Sequence, residues 1–430
     1  MNPYLIVVLA FILFGFFLNL VVERLNIKCI QTGLPEDFKD CYDAEKYKKS
    51  QMYLRETTRF SLLTDSLTTT LTIAFILLGG FNLFDITARS FGLGSILTGL
   101  LYAALLLAAT GLLNLPFSAY ATFGIEAKYG FNTTTVKTFI GDIAKICAIS
   151  IVLGGPLLAL LLWFFEQAGG LAWIYCWAAL CVFQLFLLFA APVIIMPLFN
   201  KFTPMPDSTL KDAISSYARS QDFKMQGLFT MDGSKRSTKS NAFFSGIGRF
   251  RRVVLFDTLI KKHTVPEVLA IIAHEIGHYK KKHLPKHLCL SLVTNGLMFF
   301  ILALFLKNPH LFAAFKMDHI SIYASLIFFG FLYAPLDMLL SVGNNALSRR
   351  NEYEADRFAA ETTGMSEAMI SALKKLSIDN LSNLNPHPLK VFLSYSHPPV
   401  LARIQALRQH GHTLPHEVSA GPAEDSPGTV

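Results

Sequence analysis

Seven windows of about twenty residues, six with no charged side chain and one with a single such side chain, constrain this chain more than any other feature, because an α-helix needs that length of apolar sequence to cross a bilayer. The windows run over 4–22, 66–84, 94–115, 146–165, 171–194, 288–306 and 320–343, and only the last holds a charge, Asp337. Composition agrees: 52% of the 430 residues are hydrophobic and 16% are charged, against about 25% charged in a soluble domain. The apolar run from Tyr4 to Val22 exceeds a signal-peptide core and lacks a basic n-region or a small-residue cleavage site, so it reads as a retained first span.

The net charge of +8 sits in loops between the apolar runs, which points to a membrane face and not to nucleic acid. The loop after the first span carries Arg24, Lys28, Lys39, Lys46, Lys48, Lys49, Arg55 and Arg59, whereas the loop after the second carries only Arg89. Continued along the chain, this alternation puts the N-terminus outside and residues 195–287 and 344–430 in the cytoplasm. Six scattered cysteines without a CxxC pair read as reduced and structural.

The expected organisation is five spans with their loops over 1–194, a catalytic segment over 195–287, spans six and seven over 288–343, a second catalytic segment over 344–415, and a disordered tail over 416–430. Asp337 admits two readings, a functional intramembrane carboxylate or an interfacial one near a helix loosened by Pro335.

Thr264-Val265-Pro266-Glu267 forms a capping box that starts a helix just before "AHEIGHYKKKH". On that helix His274 and His278 lie four residues apart on one face, where both imidazoles reach one tetrahedral ion, with Glu275 beside them as general base. A catalytic zinc needs a third protein ligand, and "NEYEAD" offers Glu352, with Asp356 four residues on to orient a ligand histidine; Glu354 should point elsewhere. His283 and His287, set among Lys280, Lys281, Lys282 and Lys286, read as interfacial groups. His397 precedes a double proline and is either an oxyanion donor or part of a plain turn, with Arg403 a further donor. Asn241 to Phe244 and Val253 to Phe256 read as two strands around Gly246 and Gly248, whose edge an extended peptide could join.

With those residues in place, the chain resembles the integral-membrane zinc CAAX prenyl proteases of type I, a branch of the gluzincin metallopeptidases. The resemblance runs from the first span to about Leu407 and includes "EAKYGFNTTT" (126–135), "PLFNKFTP" (197–204), "MDGSKRSTKSNAFFSGIG" (231–248), "RVVLFDTLI" (252–260), "AHEIGHYK", "EYEAD" and "YSHPP" with Arg403. It implies a mainly α polytopic fold in which seven tilted helices enclose an intramembrane chamber. A gluzincin-like catalytic domain with a small β element would sit on the cytosolic side.

It also implies one zinc per chain on His274, His278 and Glu352, with Glu275 as base and Asp356 behind a ligand. His397 and Arg403 would face the scissile region, and Asn241 and Ala242 the substrate backbone. The implied substrate is a peptide or protein ending in a prenylated Cys-a-a-X box, from which the last three residues are removed; lipid is the other partner, and no oligomeric state is implied. Little sequence separates the sixth and seventh spans and the tail has no dilysine signal, which suits a bacterial inner membrane more than the endoplasmic reticulum. Two rivals are a shorter zinc protease of membrane quality control and a non-catalytic transporter or lipid-binding protein that keeps the histidines for structure.

Overall fold

The computed structural model describes residues 2–30, 33–245 and 251–411. The tail expected to be disordered and the Gly246/Gly248 turn lie outside the described residues. Among the described residues seven helices are long and apolar enough to cross a membrane: Pro3–Lys28, Ala44–Leu77, Ser95–Tyr129, Val136–Gln167, Gly169–Phe199, His283–Phe305 and Ile322–Thr363.

Each overlaps one expected window, and the second differs most. The apolar window 66–84 straddles a helix end, since the helix stops at Leu77 and Gly79 turns left-handed (φ 77°) before a separate helix over Gly80–Arg89. The second span therefore extends backward through Lys46, Arg55 and Arg59, charges that a charge-free window excludes.

Three spans contain a π-helical turn, at Tyr120–Glu126, Ser150–Gly154 and Ala191–Ile195. A proline lies within or close to each, Pro116, Pro156 and Pro192. Proline removes one backbone donor, and the hydrogen-bond ladder slips by a residue to accommodate it.

Opposite ends of the bundle are fastened differently. At the end bearing the N-terminus, Phe81, Phe315 and Phe328 form an aromatic cluster, Phe315 stacking on Phe328 at 3.9 Å between centroids. The fully buried Asp85 there accepts from Tyr323 at 2.5 Å and pairs with Arg89 at 2.8 Å, so the charge is not left bare in an apolar setting. At the other end, Phe38 and Tyr42 from the first connection and Tyr47 from the start of the next helix pack with Ala270, Ile370, Ile404 and Leu407. The connection after the first span and both catalytic segments therefore occupy the same side of the bundle. Asp337 is exposed and has no hydrogen-bond or ion-pair partner among the described residues, and all six cysteines are free.

A four-stranded sheet stands on the catalytic side, in the order β1 (Phe202–Pro204), β2 (Gly227–Met231), β4 (Arg252–Phe256), β3 (Ala242–Ser245). β3 and β4 pair antiparallel, Ala242 opposite Leu255, and β2 runs parallel to β4. β1 and β2 were not among the expected strands. Val253 and Leu255 of β4 pack with Ile272 and Ile276 of the helix Val265–Lys280, so the sheet backs the H-E-x-x-H helix.

The quoted "EAKYGFNTTT" and "KRSTKS" segments clasp each other. Arg236 makes a bidentate pair with Asp142 at 2.7 and 2.9 Å, Lys239 lies over the Phe131 ring and 3.0 Å from Glu126, and Thr238 N–H donates to the Phe131 carbonyl. This ties the segment leading into β3 to the adjoining ends of the third and fourth spans.

The capping box is present: the Thr264 side chain accepts from the backbone at Glu267, and Glu267 accepts from the Thr264 N–H at 2.9 Å. The same buried carboxylate accepts from Ser371 at 2.6 Å and pairs with Lys375 at 2.7 Å. Burial alone would raise its proton affinity, but these donors outweigh it and hold the carboxyl below its usual range. Its stabilisation is therefore complete at neutral pH and is lost as pH falls through the depressed value. Glu267→Ala should cost about 1–3 kcal/mol, read as a lower melting temperature in detergent at pH 7 and a smaller difference from wild type in acid.

Candidate metal centre

Two helices carry the candidate ligands, Val265–Lys280 and the long helix Ile322–Thr363, and they approach closely at Gly277. A Cβ built there would lie 3.1 Å from Ala355 Cα and 3.2 Å from the Ala355 carbonyl oxygen, backbone atoms that cannot swing aside. Gly277→Ala must push the helices apart by a few tenths of an ångström. Because the ligands sit on either side of that contact, zinc affinity should fall by about tenfold or more, measured by chelator competition.

Between the helices, His274 Nε2 lies 3.1 Å from His278 Nε2, His278 Nε2 lies 3.2 Å from Glu352 Oε1, and His274 Nε2 lies 3.5 Å from Glu352 Oε2. A tetrahedral zinc with bonds of about 2.0–2.1 Å has ligand-to-ligand edges of about 3.3 Å, so the three donors already stand at the right spacing. Glu352 Oε2 is buried without a hydrogen bond, since Arg403 Nη1, although 3.2 Å away, lies off the bonding direction. Two imidazole nitrogens and one carboxylate, with an orphaned oxygen among them, fit zinc.

Behind the donors, Asp356 Oδ1 lies 2.8 Å from His274 Nδ1 and accepts its N–H, leaving Nε2 bare for a metal. Arg403 then grips Asp356 with both arms of its fork, Nε to Oδ2 at 2.8 Å and Nη2 to Oδ1 at 2.6 Å. Burial alone would lower the proton affinity of His274, but the Asp356 hydrogen bond and charge raise it. Arg403, buried with carboxylates on two sides, stays charged. Its guanidinium faces Asp356 and Glu352, so in this geometry it holds the ligand set.

Glu275 follows His274 on the helix and accepts no hydrogen bond among the described residues. Removal from water raises its proton affinity, against the pull of His274 and His278. His397 is 65% exposed and places Nε2 3.4 Å from Glu352 Oε1, while Nδ1 meets Ser396 Oγ at 2.9 Å. Pro398-Pro399 then lead into the helix Val400–Gly411, which carries Arg403 inward. Asn241 is exposed just ahead of β3 and Ala242 begins it; as the last strand in the order, β3 has one edge unpaired within the sheet.

Two residues assigned elsewhere by sequence belong here. His283 is 3% exposed, its Nδ1 is 2.8 Å from His278 Nδ1, and its Nε2 is 3.2 Å from Glu354 Oε2. The lysine run does not continue into a solvated face, because Lys282 takes a left-handed backbone (φ 57°) and folds His283 back under His278. The available signal was a histidine five residues after the motif with an acidic residue between Glu352 and Asp356. His287 meets Asn351 at 2.9 Å.

Two family models match the chain. One, described as CAAX prenyl protease N-terminal, five membrane helices, covers residues 23–201. The other, Peptidase family M48, covers residues 204–410. The chain is similar to the CAAX prenyl protease 1 homolog of Arabidopsis thaliana, at 33% identity over 94% of this chain and 97% of the relative. It is 33% identical to the Homo sapiens homolog over 88% and 89%, and 31% identical to CAAX prenyl protease 1 of Saccharomyces cerevisiae over 94% and 95%. Among solved structures it is similar to S. mikatae Ste24p, with a TM-score of 0.90 and 32% identity over 95% of this chain and 99% of that one.

Proposed function

The chain belongs to the CAAX prenyl protease 1 family of M48 metallopeptidases, and from that premise we propose how its own residues carry out the cleavage. It is an integral multi-pass membrane protease. We assign one zinc per chain to His274, His278 and Glu352, and the donor triangle with 3.1–3.5 Å edges is the observation that carries the reading. A zinc there supplies a Lewis acid that lowers the pKa of water to about 7 and polarises the scissile carbonyl.

Glu275, whose carboxylate is free of hydrogen bonds and raised in proton affinity by burial, takes the proton of the attacking water and returns it to the departing amine as the C–N bond breaks. His397 donates to the carbonyl oxygen as it gains charge. Asp356 fixes the tautomer of His274, and Arg403 fixes Asp356. The peptide adds to the open edge of β3 beside Asn241 and Ala242, using main-chain hydrogen bonds for which side-chain identity matters little.

The substrate we propose is the C-terminus of a protein ending in a prenylated Cys-a-a-X box, losing its aaX tripeptide into a chamber between the spans. The catalytic segments would face the cytoplasm, a reading supported by the basic loops and by the packing of residues 38–47 on the catalytic side. The short link between Phe305 and Ile322 suits a bacterial inner membrane. Purified protein in detergent should release the tripeptide from a farnesylated CAAX peptide, identified by mass spectrometry. Stoichiometric zinc with no cleavage over a panel of prenylated and unprenylated peptides would overturn the substrate and leave the metal site standing.

A further inference from the structure

We propose that His283 and Glu354 are positioning residues that fix the ligand His278 in the tautomer able to bind metal. The inference rests on the assignment of His278 as a ligand. Two imidazoles meeting Nδ1 to Nδ1 at 2.8 Å form a hydrogen bond only if one nitrogen carries the proton and the other does not. A neutral histidine that offers Nε2 to a metal carries its proton on Nδ1, so His278 must be the donor and His283 the acceptor. A neutral His283 with a bare Nδ1 carries its proton on Nε2, and Glu354 Oε2 accepts it at 3.2 Å.

Each link permits one arrangement, and the chain begins at a carboxylate, which only accepts. Glu354 is held in turn by Arg350 Nε at 3.1 Å and faces Lys286 at 4.0 Å. Asp356 does the same work for His274 directly. The two ligand histidines are therefore oriented by two carboxylates two residues apart on one helix, one acting at first hand and the other through an imidazole.

The test is zinc affinity of full-length protein in detergent by chelator competition, with the cobalt-substituted absorption spectrum as a second readout. His283→Leu removes the acceptor and should weaken zinc by about tenfold to a hundredfold and change the cobalt spectrum. His283→Asn returns an oxygen acceptor close to the Nδ1 position and should stay within about threefold of wild type. Glu354→Leu should weaken zinc while Glu354→Gln, which keeps an acceptor oxygen, should not; this partly exposed pair carries the test if His283→Leu does not fold. Zinc affinity unchanged in His283→Leu, or equally lost in His283→Asn and His283→Leu, overturns the inference alone. A wild type that takes up no zinc overturns the ligand assignment and this inference with it.

Discussion

Glu275→Gln should lower kcat for release of the tripeptide by about 10²–10⁴-fold while leaving zinc content at the wild-type level. Gln keeps the size and the hydrogen-bonding oxygen of Glu but cannot take a proton, so the loss isolates proton transfer. The carboxylate of Glu275 contacts none of the three ligand atoms through a hydrogen bond, which is why metal uptake should survive. Side-by-side product mass spectrometry and zinc stoichiometry check both halves; wild-type turnover in the variant would remove Glu275 as the base.

Arg403→Leu has the largest expected effect on stability. Arg403 is 9% exposed and its guanidinium neutralises two carboxylates, Asp356 at 2.6 Å and Glu352 at 3.2 Å, each buried. Removing it leaves two adjacent buried negative charges, and breaking a buried pair of this kind costs about 3–5 kcal/mol. A divalent cation on Glu352 offsets part of that, so the loss in melting temperature should be greatest in chelator and smaller with zinc. Arg403→Lys should not restore it, because the ammonium cannot span both oxygens of Asp356 and reach Glu352 as the planar fork does. Equal melting temperatures of variant and wild type in chelator would show that the pair is not holding these carboxylates.

Much of this architecture was legible in residue order. Apolar length finds part of every one of the seven helices because charge is costly in a bilayer, and the four-residue spacings 274/278 and 352/356 find the helices of the candidate ligands because helical neighbours share a face. Legibility failed where a single backbone residue decides direction. Gly79 ends a helix inside an apolar window, and Lys282 reverses the chain so that a histidine following a run of lysines becomes one of the most buried polar groups near the candidate ligands.

Arg403 was visible as a charge near the "YSHPP" turn, but its partner Asp356 is brought to it from 47 residues away by helix packing. β1 is hard to read because it has only three residues, and β2, as long as β4, because Gly227–Met231 lacks the Val-Val pair that marks β4.

The seventh span has no break between its lipid-crossing part and its metal-binding part; it is one helix of 42 residues, about 63 Å long. On the proposed metal assignment it acts as a ruler whose zero mark is the bilayer and whose graduation at Glu352 is the cutting point. One residue added between Gly343 and Arg350 would rotate everything beyond it by about 100° and carry Glu352 and Asp356 off the face that meets His274. Adding a whole turn would restore the face but shift the mark by about 5.4 Å. The reach from membrane to scissile bond is thus written into the phase of a helix, and a chain anchored in the same bilayer by its own lipid would be measured against it.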